Sequence, residues 1–290
     1  MKTISSTSAR FALPVSLLMF ISFTVIAQKL PKLQEVSVRA PDNIKIDGKV
    51  TEWSDKFQAY SNADRVFYTI SNDDKKLYVT IQTAGPHAND KIFIGGITFT
   101  ISHATERRER ERSPDNVSIR FPMLYPNSIE VLLADNNQYT QLINDTVANK
   151  TKIETLIAAA NKQIMHSSKE IQVIGVTGIT DPLISVYNSQ GILAAGQFNN
   201  KMYYTCELAI PLKYLGLSVD DAVKFSYNIR LNGAPDNSIA MITSSDITIA
   251  QVGNTHPAIP LMERIGTPDP DYLYTHNPTD FWGEYTLAKK

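Results

Sequence analysis

Two runs of strict two-residue alternation constrain this chain more than any other feature. Met202, Tyr204, Cys206, Leu208 and Ile210 share one face of an extended segment, with Tyr203, Thr205 and Glu207 on the other. Val223, Phe225, Tyr227, Ile229 and Leu231 repeat the pattern, opposite Lys224, Ser226, Asn228 and Arg230. A period of two over nine residues is the mark of a strand with one face on the core, so a half-exposed antiparallel sheet is expected. Leu77, Val79 and Ile81 alternate in the same way after Arg65–Ile70, and Asn72-Asp73-Asp74 between the two runs predicts a hairpin. Further strands are expected at Ile92–Ile101, Ser128–Leu133, Ile171–Thr177, Ile192–Phe198, Ile239–Ile249 and Glu284–Leu287. Many strands with polar turns between them predict an all-β antiparallel sandwich, jelly-roll or immunoglobulin-like. One segment has the other period: Ile153, Leu156, Ile157, Ala160 and Ile164 follow Thr151-Lys-Ile-Glu154, a capping-box pattern, and predict a single inserted amphipathic helix.

Residues 1–27 read as a signal peptide. Lys2 and Arg10 precede the apolar stretch Phe11–Ile26, which ends at Ala27 and is too short and interrupted to span a membrane. Cleavage near Ala27 implies a secreted or periplasmic protein. Residues 28–40 then read as a linker and 41–290 as one domain. The formal net charge of −1 becomes −3 once Lys2 and Arg10 are removed, which gives no electrostatic case for nucleic acid or an anionic membrane. Cys206 is the one cysteine, so no internal disulfide is available and the apolar core must hold the fold. Its place on an apolar strand face makes it a buried small residue. The run Glu106–Arg112 alternates in sign between strand signals and reads as a solvated hairpin loop.

Several motifs share an order along the chain. Ile46-Asp47-Gly48 precedes Glu52-Trp53; Ser71-Asn-Asp-Asp74 precedes Leu77-Tyr-Val79; Gly95-Gly-Ile-Thr98 follows; and Glu207-Leu-Ala-Ile-Pro-Leu212 precedes Tyr214-Leu-Gly-Leu217. In that order they resemble the family 9-like carbohydrate-binding modules and their secreted Bacteroidetes-type relatives. The resemblance implies a β-sandwich and a carbohydrate ligand, and it assigns Trp53 to the structural position that seals one end of the sandwich.

The candidate ligand-binding residues are Tyr272, Tyr274 and Trp282, which cluster near the chain end after the Pro- and Asp-rich stretch 267–271. Exposed rings on a rigid frame stack on the apolar faces of sugars. Asp269, Asp271 and Asp280 in the same region would suit a hydrolase if two of them faced one groove, but aspartate beside proline is ordinary loop chemistry. The same carboxylates offer oxygen ligands for a structural Ca²⁺, without the spacing of a known calcium loop. His87, His103, His166, His256 and His276 are scattered singly, without a zinc-type pair. No G-x-S-x-G elbow is present. The expectation is therefore a non-catalytic glycan-binding module without a cofactor. A rival is a structural or protein-interaction component of the cell envelope, meeting its partner through the face bearing Asn228 and Arg230 or through the 106–112 loop.

Overall fold

The computed structural model describes residues 30–54, 56–104, 106–221, 223–234 and 270–290, without the side chains of 270–272. The leader, the strand expected at Ile239–Ile249, Asp269, and the side chains of Asp271 and Tyr272 lie outside the described residues. In chain order the elements are β1 (Ala59–Ser61), β2 (Val66–Asn72), β3 (Lys76–Thr83), α1 (Pro86–Gly95), β4 (Ile97–Ser102), α2 (Arg107–Arg110) and β5 (Val117–Phe121). There follow α3 (Pro126–Leu142), α4 (Lys150–Ser167), β6 (Glu170–Ile174), β7 (Leu183–Ser185), β8 (Leu193–Phe198), β9 (Tyr204–Pro211), β10 (Lys224–Leu231), α5 (Pro270–His276) and β11 (Thr279–Thr286).

The strands form two antiparallel sheets, one in the order β1-β2-β3-β9-β8 and the other β11-β10-β4-β5-β6-β7. Their apolar faces share one core, in which Val66, Ile70, Val79, Leu208 and Ile210 from the first sheet meet Phe99, Ile119, Tyr227 and Ile229 from the second. Across the seam the hydroxyls of Tyr68 and Tyr227 are hydrogen-bonded at 2.9 Å, and the Tyr68 ring packs on Phe281 at 5.1 Å. The fold is mostly β and sandwich-like. Cys206 is fully buried, and burial pushes its thiol far above the usual range.

The Asn72–Asp74 turn forms as expected. Asp73 Oδ1 accepts the N–H groups of Lys75 and Lys76 at 2.6 and 2.7 Å, and its other oxygen accepts the Tyr78 hydroxyl at 2.7 Å. Other expectations are corrected. The 92–101 segment is not one strand: Pro86 opens α1 at its first turn, and Gly96, at φ 70°, ends it before β4 begins. Ser128–Leu133 belongs to α3, where Leu132, Asn136 and Tyr139 make the buried stripe at helical spacing. The chain therefore carries several helices where one was expected. The helix at 153–164 is present as α4, but it starts at Lys150 and no side chain caps it. The last strand begins at Thr279, five residues before the expected Glu284.

The half-exposed sheet is also corrected. Every residue of β9 is buried, and on β10 Ser226 and Asn228 are buried while Lys224 and Arg230 are exposed. The polar face of the first sheet is covered by the chain before β1: the N–H of Gln58 donates to Thr69 Oγ1, and those of Asp47 and Gly48 donate to Glu207. The stretch 31–40 is tied down too. Gln34 is buried, and its carboxamide takes both the N–H and the C=O of Ile70, at 2.7 and 2.8 Å.

Candidate functional site

β11 is the outer strand of the second sheet, and its residues alternate in direction. Phe281 faces the core against Tyr68, and the Cβ position of Gly283 is filled by the Tyr227 ring; Trp282 and Glu284 therefore face outward. Beside them runs the segment Leu33–Ser37, held to the strand by Ser37 Oγ donating to the Thr286 carbonyl at 2.5 Å. The Tyr285 hydroxyl accepts the Val38 N–H at 2.9 Å. Between segment and strand lies a cleft of about 400 Å³ lined by Trp282, Glu284, Glu35, Val36, Arg110 and Lys224 among others. Leu33 and Val36 expose apolar surface beside it.

The cleft is polar around its indole. Arg110 donates to Glu284 Oε1 at 2.7 Å and Lys224 to Oε2 at 3.2 Å, and these two hydrogen bonds hold the Glu284 carboxyl below its usual range. Arg110 belongs to the charged run read as a solvated loop. The run does join β4 to β5, yet this one residue folds back onto β11 and is only 16% exposed. In the ladder Trp282 faces Asn228, whose amide donates to Asp280 Oδ2 at 2.7 Å and to the Phe281 carbonyl at 3.1 Å. Asp280 is thereby engaged in the sheet. A half-buried indole ringed by two cations and two carboxylates has the makeup of a site for a polar ligand with an apolar face.

Tyr274, the second expected ring, is not in this cleft. It lies on α5, where its hydroxyl donates to the Asp64 carbonyl at 2.5 Å. Its ring is flanked by the Arg65 guanidinium at 4.3 Å and the Lys91 ammonium at 4.4 Å. This is an anchoring contact between α5 and the core. Lys91 is fully buried and donates to Thr279 Oγ1 at 2.8 Å; burial pulls its ammonium down to about 8. Burial likewise raises the carboxyl of Asp64, which hydrogen-bonds Ser61 at 2.6 Å. Trp53 is half-buried in a 3-10 turn, Thr51–Trp53, with its Nε1 buried and unpartnered.

Sequence reasoning missed Glu35, Arg110 and Lys224 as neighbours of Trp282, since only the tertiary fold brings them there. It also missed a second groove along β8, where Tyr187 is 80% exposed and Met165 61% exposed. Among the described residues no group of three or more His, Cys, Asp or Glu side chains is disposed to hold a metal ion. No described helix is long and apolar enough to cross a membrane. Comparison with protein-family models, curated proteins and solved structures gives no match.

Proposed function

We propose that this chain is an exported, non-catalytic module of the family 9-like sandwich type that recognises a glycan at the Trp282 cleft. The observation that carries the reading is the outward indole of Trp282, fixed on a paired strand and rimmed by Arg110, Lys224, Glu35 and Glu284. An indole on a rigid strand offers a flat apolar face for a sugar ring at little entropic cost, and charged side chains around it hydrogen-bond hydroxyls. The β-sandwich and carbohydrate ligand that the motif order implies and the leader-like first 27 residues support the reading, and Glu284 is held in ion pairs with Arg110 and Lys224.

The test is a glycan-array screen of the protein, with calorimetry on each hit for the parent, Trp282→Ala and Arg110→Ala. Loss of binding in Trp282→Ala with an unchanged circular dichroism spectrum supports the reading. An array without hits, or hits that survive Trp282→Ala, overturns it.

A further inference from the structure

Among the described residues the two sheets present four outer strands. β1 and β7 are three residues long, and β11 carries Asp280 and Glu284 and is flanked by Leu33–Ser37. Short length, charge and cover are the usual protections of a sheet edge. β8 has neither a charge nor a proline along Leu193-Ala-Ala-Gly-Gln197, a stretch of roughly 17 Å, and its cover, α4 beside it and the Asp47-Gly48 turn over Gly196 and Gln197, leaves a groove open along the strand.

The hydrogen bonds of Phe198 fix which backbone groups of β8 face outward. Phe198 N–H donates to Asn161 Oδ1 at 2.7 Å, and Asn161 Nδ2 donates to the Phe198 carbonyl at 3.1 Å. Both groups thus point away from β9, and the opposite N–H, that of Tyr204, is taken by Thr83 Oγ1. In an antiparallel ladder this direction repeats every second residue, so Gly196 and Ala194 also turn their N–H and C=O groups outward. Asn161 occupies at Phe198 the position of a neighbouring strand. Beyond it, Ala194 and Gly196 have no hydrogen-bond partner on that side among the described residues.

This edge opens into a groove of about 540 Å³, whose walls include Ile46, Met165, Val186 and Tyr187. Lys162 and Lys169 stand at its rim with Asp47 as the sole carboxylate, and that carboxylate already accepts the Lys49 N–H at 3.0 Å. The groove is lined by the apolar side chains of Ile46, Met165 and Val186 and by the backbone of Ala194–Gly196, and it carries Lys162 and Lys169.

We propose that the Ala194–Gly196 edge takes up an extended, acidic segment of a partner protein as an added strand, with Lys162 and Lys169 meeting its carboxylates. Four unpartnered backbone groups in register favour a polypeptide, because a strand satisfies all of them at once. Lys162 and Lys169, the latter also donating to the Tyr187 hydroxyl at 3.4 Å, outnumber the one aspartate and favour acidic side chains. The surface is separate from the Trp282 cleft, and neither reading depends on the other.

The experiment is fluorescence anisotropy of the full chain with a labelled peptide of alternating valine and glutamate. The comparison peptides have lysine for glutamate or N-methyl groups at alternate residues. Ala194→Pro removes an outward N–H and leaves the β9 ladder intact, so about tenfold weaker binding is expected, equivalent to one lost hydrogen bond. The N-methylated and lysine peptides are expected to bind more weakly by at least as much. Lys162→Glu with Lys169→Glu leaves the backbone untouched, and it decides the matter if the proline variant fails to fold. Equal binding of the N-methylated peptide, no binding of the acidic peptide, or indifference to both sets of substitutions overturns the proposal. So does a dimer in sedimentation that the lysine substitutions split, or an array glycan lost on Tyr187→Ala, since each assigns the groove to another occupant.

Discussion

Glu207 Oε2 accepts the backbone N–H of Gly48 at 2.9 Å, across 159 residues, and that of Asp47 at 3.0 Å. The contact joins two motifs of the sequence, the Ile46-Asp47-Gly48 turn and the Glu207–Leu212 strand. It also explains the glycine. Gly48 has φ +80°, and a Cβ there would press on the backbone of Gly196 and Gln197, so only glycine lets the turn close over β8 and β9.

The same carboxyl makes stability depend on pH. Burial raises the Glu207 carboxyl to about 7, only partly offset by the hydrogen bonds from Gly48 and Asp47. A raised carboxyl binds its proton more tightly in the folded state, so the stabilisation is full below the unfolded value near 4.5 and is lost as pH rises to about 7. The loss is on the order of 3 kcal/mol. Glu207→Gln keeps an acceptor for both N–H groups and cannot ionise. Urea unfolding at several pH values between 4.5 and 8 should show a flatter profile for Glu207→Gln than for the parent; parallel profiles would refute the assignment.

Tyr274 is an anchor, and its substitution should behave as one. Tyr274→Ala removes the hydroxyl bond to Asp64 and the ring between Arg65 and Lys91. A loss of roughly 3 kcal/mol in denaturant stability is expected, within the range for truncating a packed aromatic. Affinity for any glycan held at Trp282 should be unchanged. A stable variant that no longer binds would return Tyr274 to the site.

How far the chain could be read in advance follows from what its patterns encode. Period two in 202–210 and 223–231 located β9 and β10, and helical spacing located α4, because in each the apolar residues alone carry the period. α3 escaped because the middle of its buried stripe is Asn136, which donates to the Pro86 carbonyl and to Asp90. A buried polar residue breaks the apolar count that reveals a helix. The polar face of β9 reads as solvent-facing for the related reason that alternation shows which residues are polar but not what covers them. Trp282 could be singled out from sequence; the Arg110–Glu284 contact beside it spans 174 residues and has no local signature.

The tyrosine pair across the sheets should respond unequally to loss of each hydroxyl. Tyr68 Oη accepts the Gln34 N–H at 2.9 Å and is hydrogen-bonded to Tyr227 Oη at 2.9 Å, with both side chains fully buried. Tyr227→Phe leaves Tyr68 its bond with Gln34 and should cost about 1 kcal/mol. Tyr68→Phe removes the nearer acceptor of the Gln34 N–H and leaves it only the Tyr227 hydroxyl, which also draws on that N–H, so it should cost roughly 1–2 kcal/mol. Chemical denaturation of the two variants checks the order, and equal losses would refute it.

Gly196 faces the core where the Tyr204 ring and hydroxyl fill the space a Cβ would need, and Gly283 stands in the same relation to Tyr227 in the other sheet. Each sheet thus places a glycine under a large ring, which lets a tyrosine lie flat against the strand without opening the sheets. Gly196→Ala must displace Tyr204, whose ring also packs on Phe93 and Phe198. The expected cost is about 1–3 kcal/mol from overpacking. Tyr204→Phe in the same chain removes the hydroxyl that the new methyl meets first, and that hydroxyl is buried without a partner, so its removal leaves no group unsatisfied. Part of the lost stability should therefore return in the double variant. A thermal-unfolding cycle over the parent, both single variants and the double measures this directly: a favourable coupling between the two substitutions supports the steric account, and strict additivity would show that Gly196 is required for another reason.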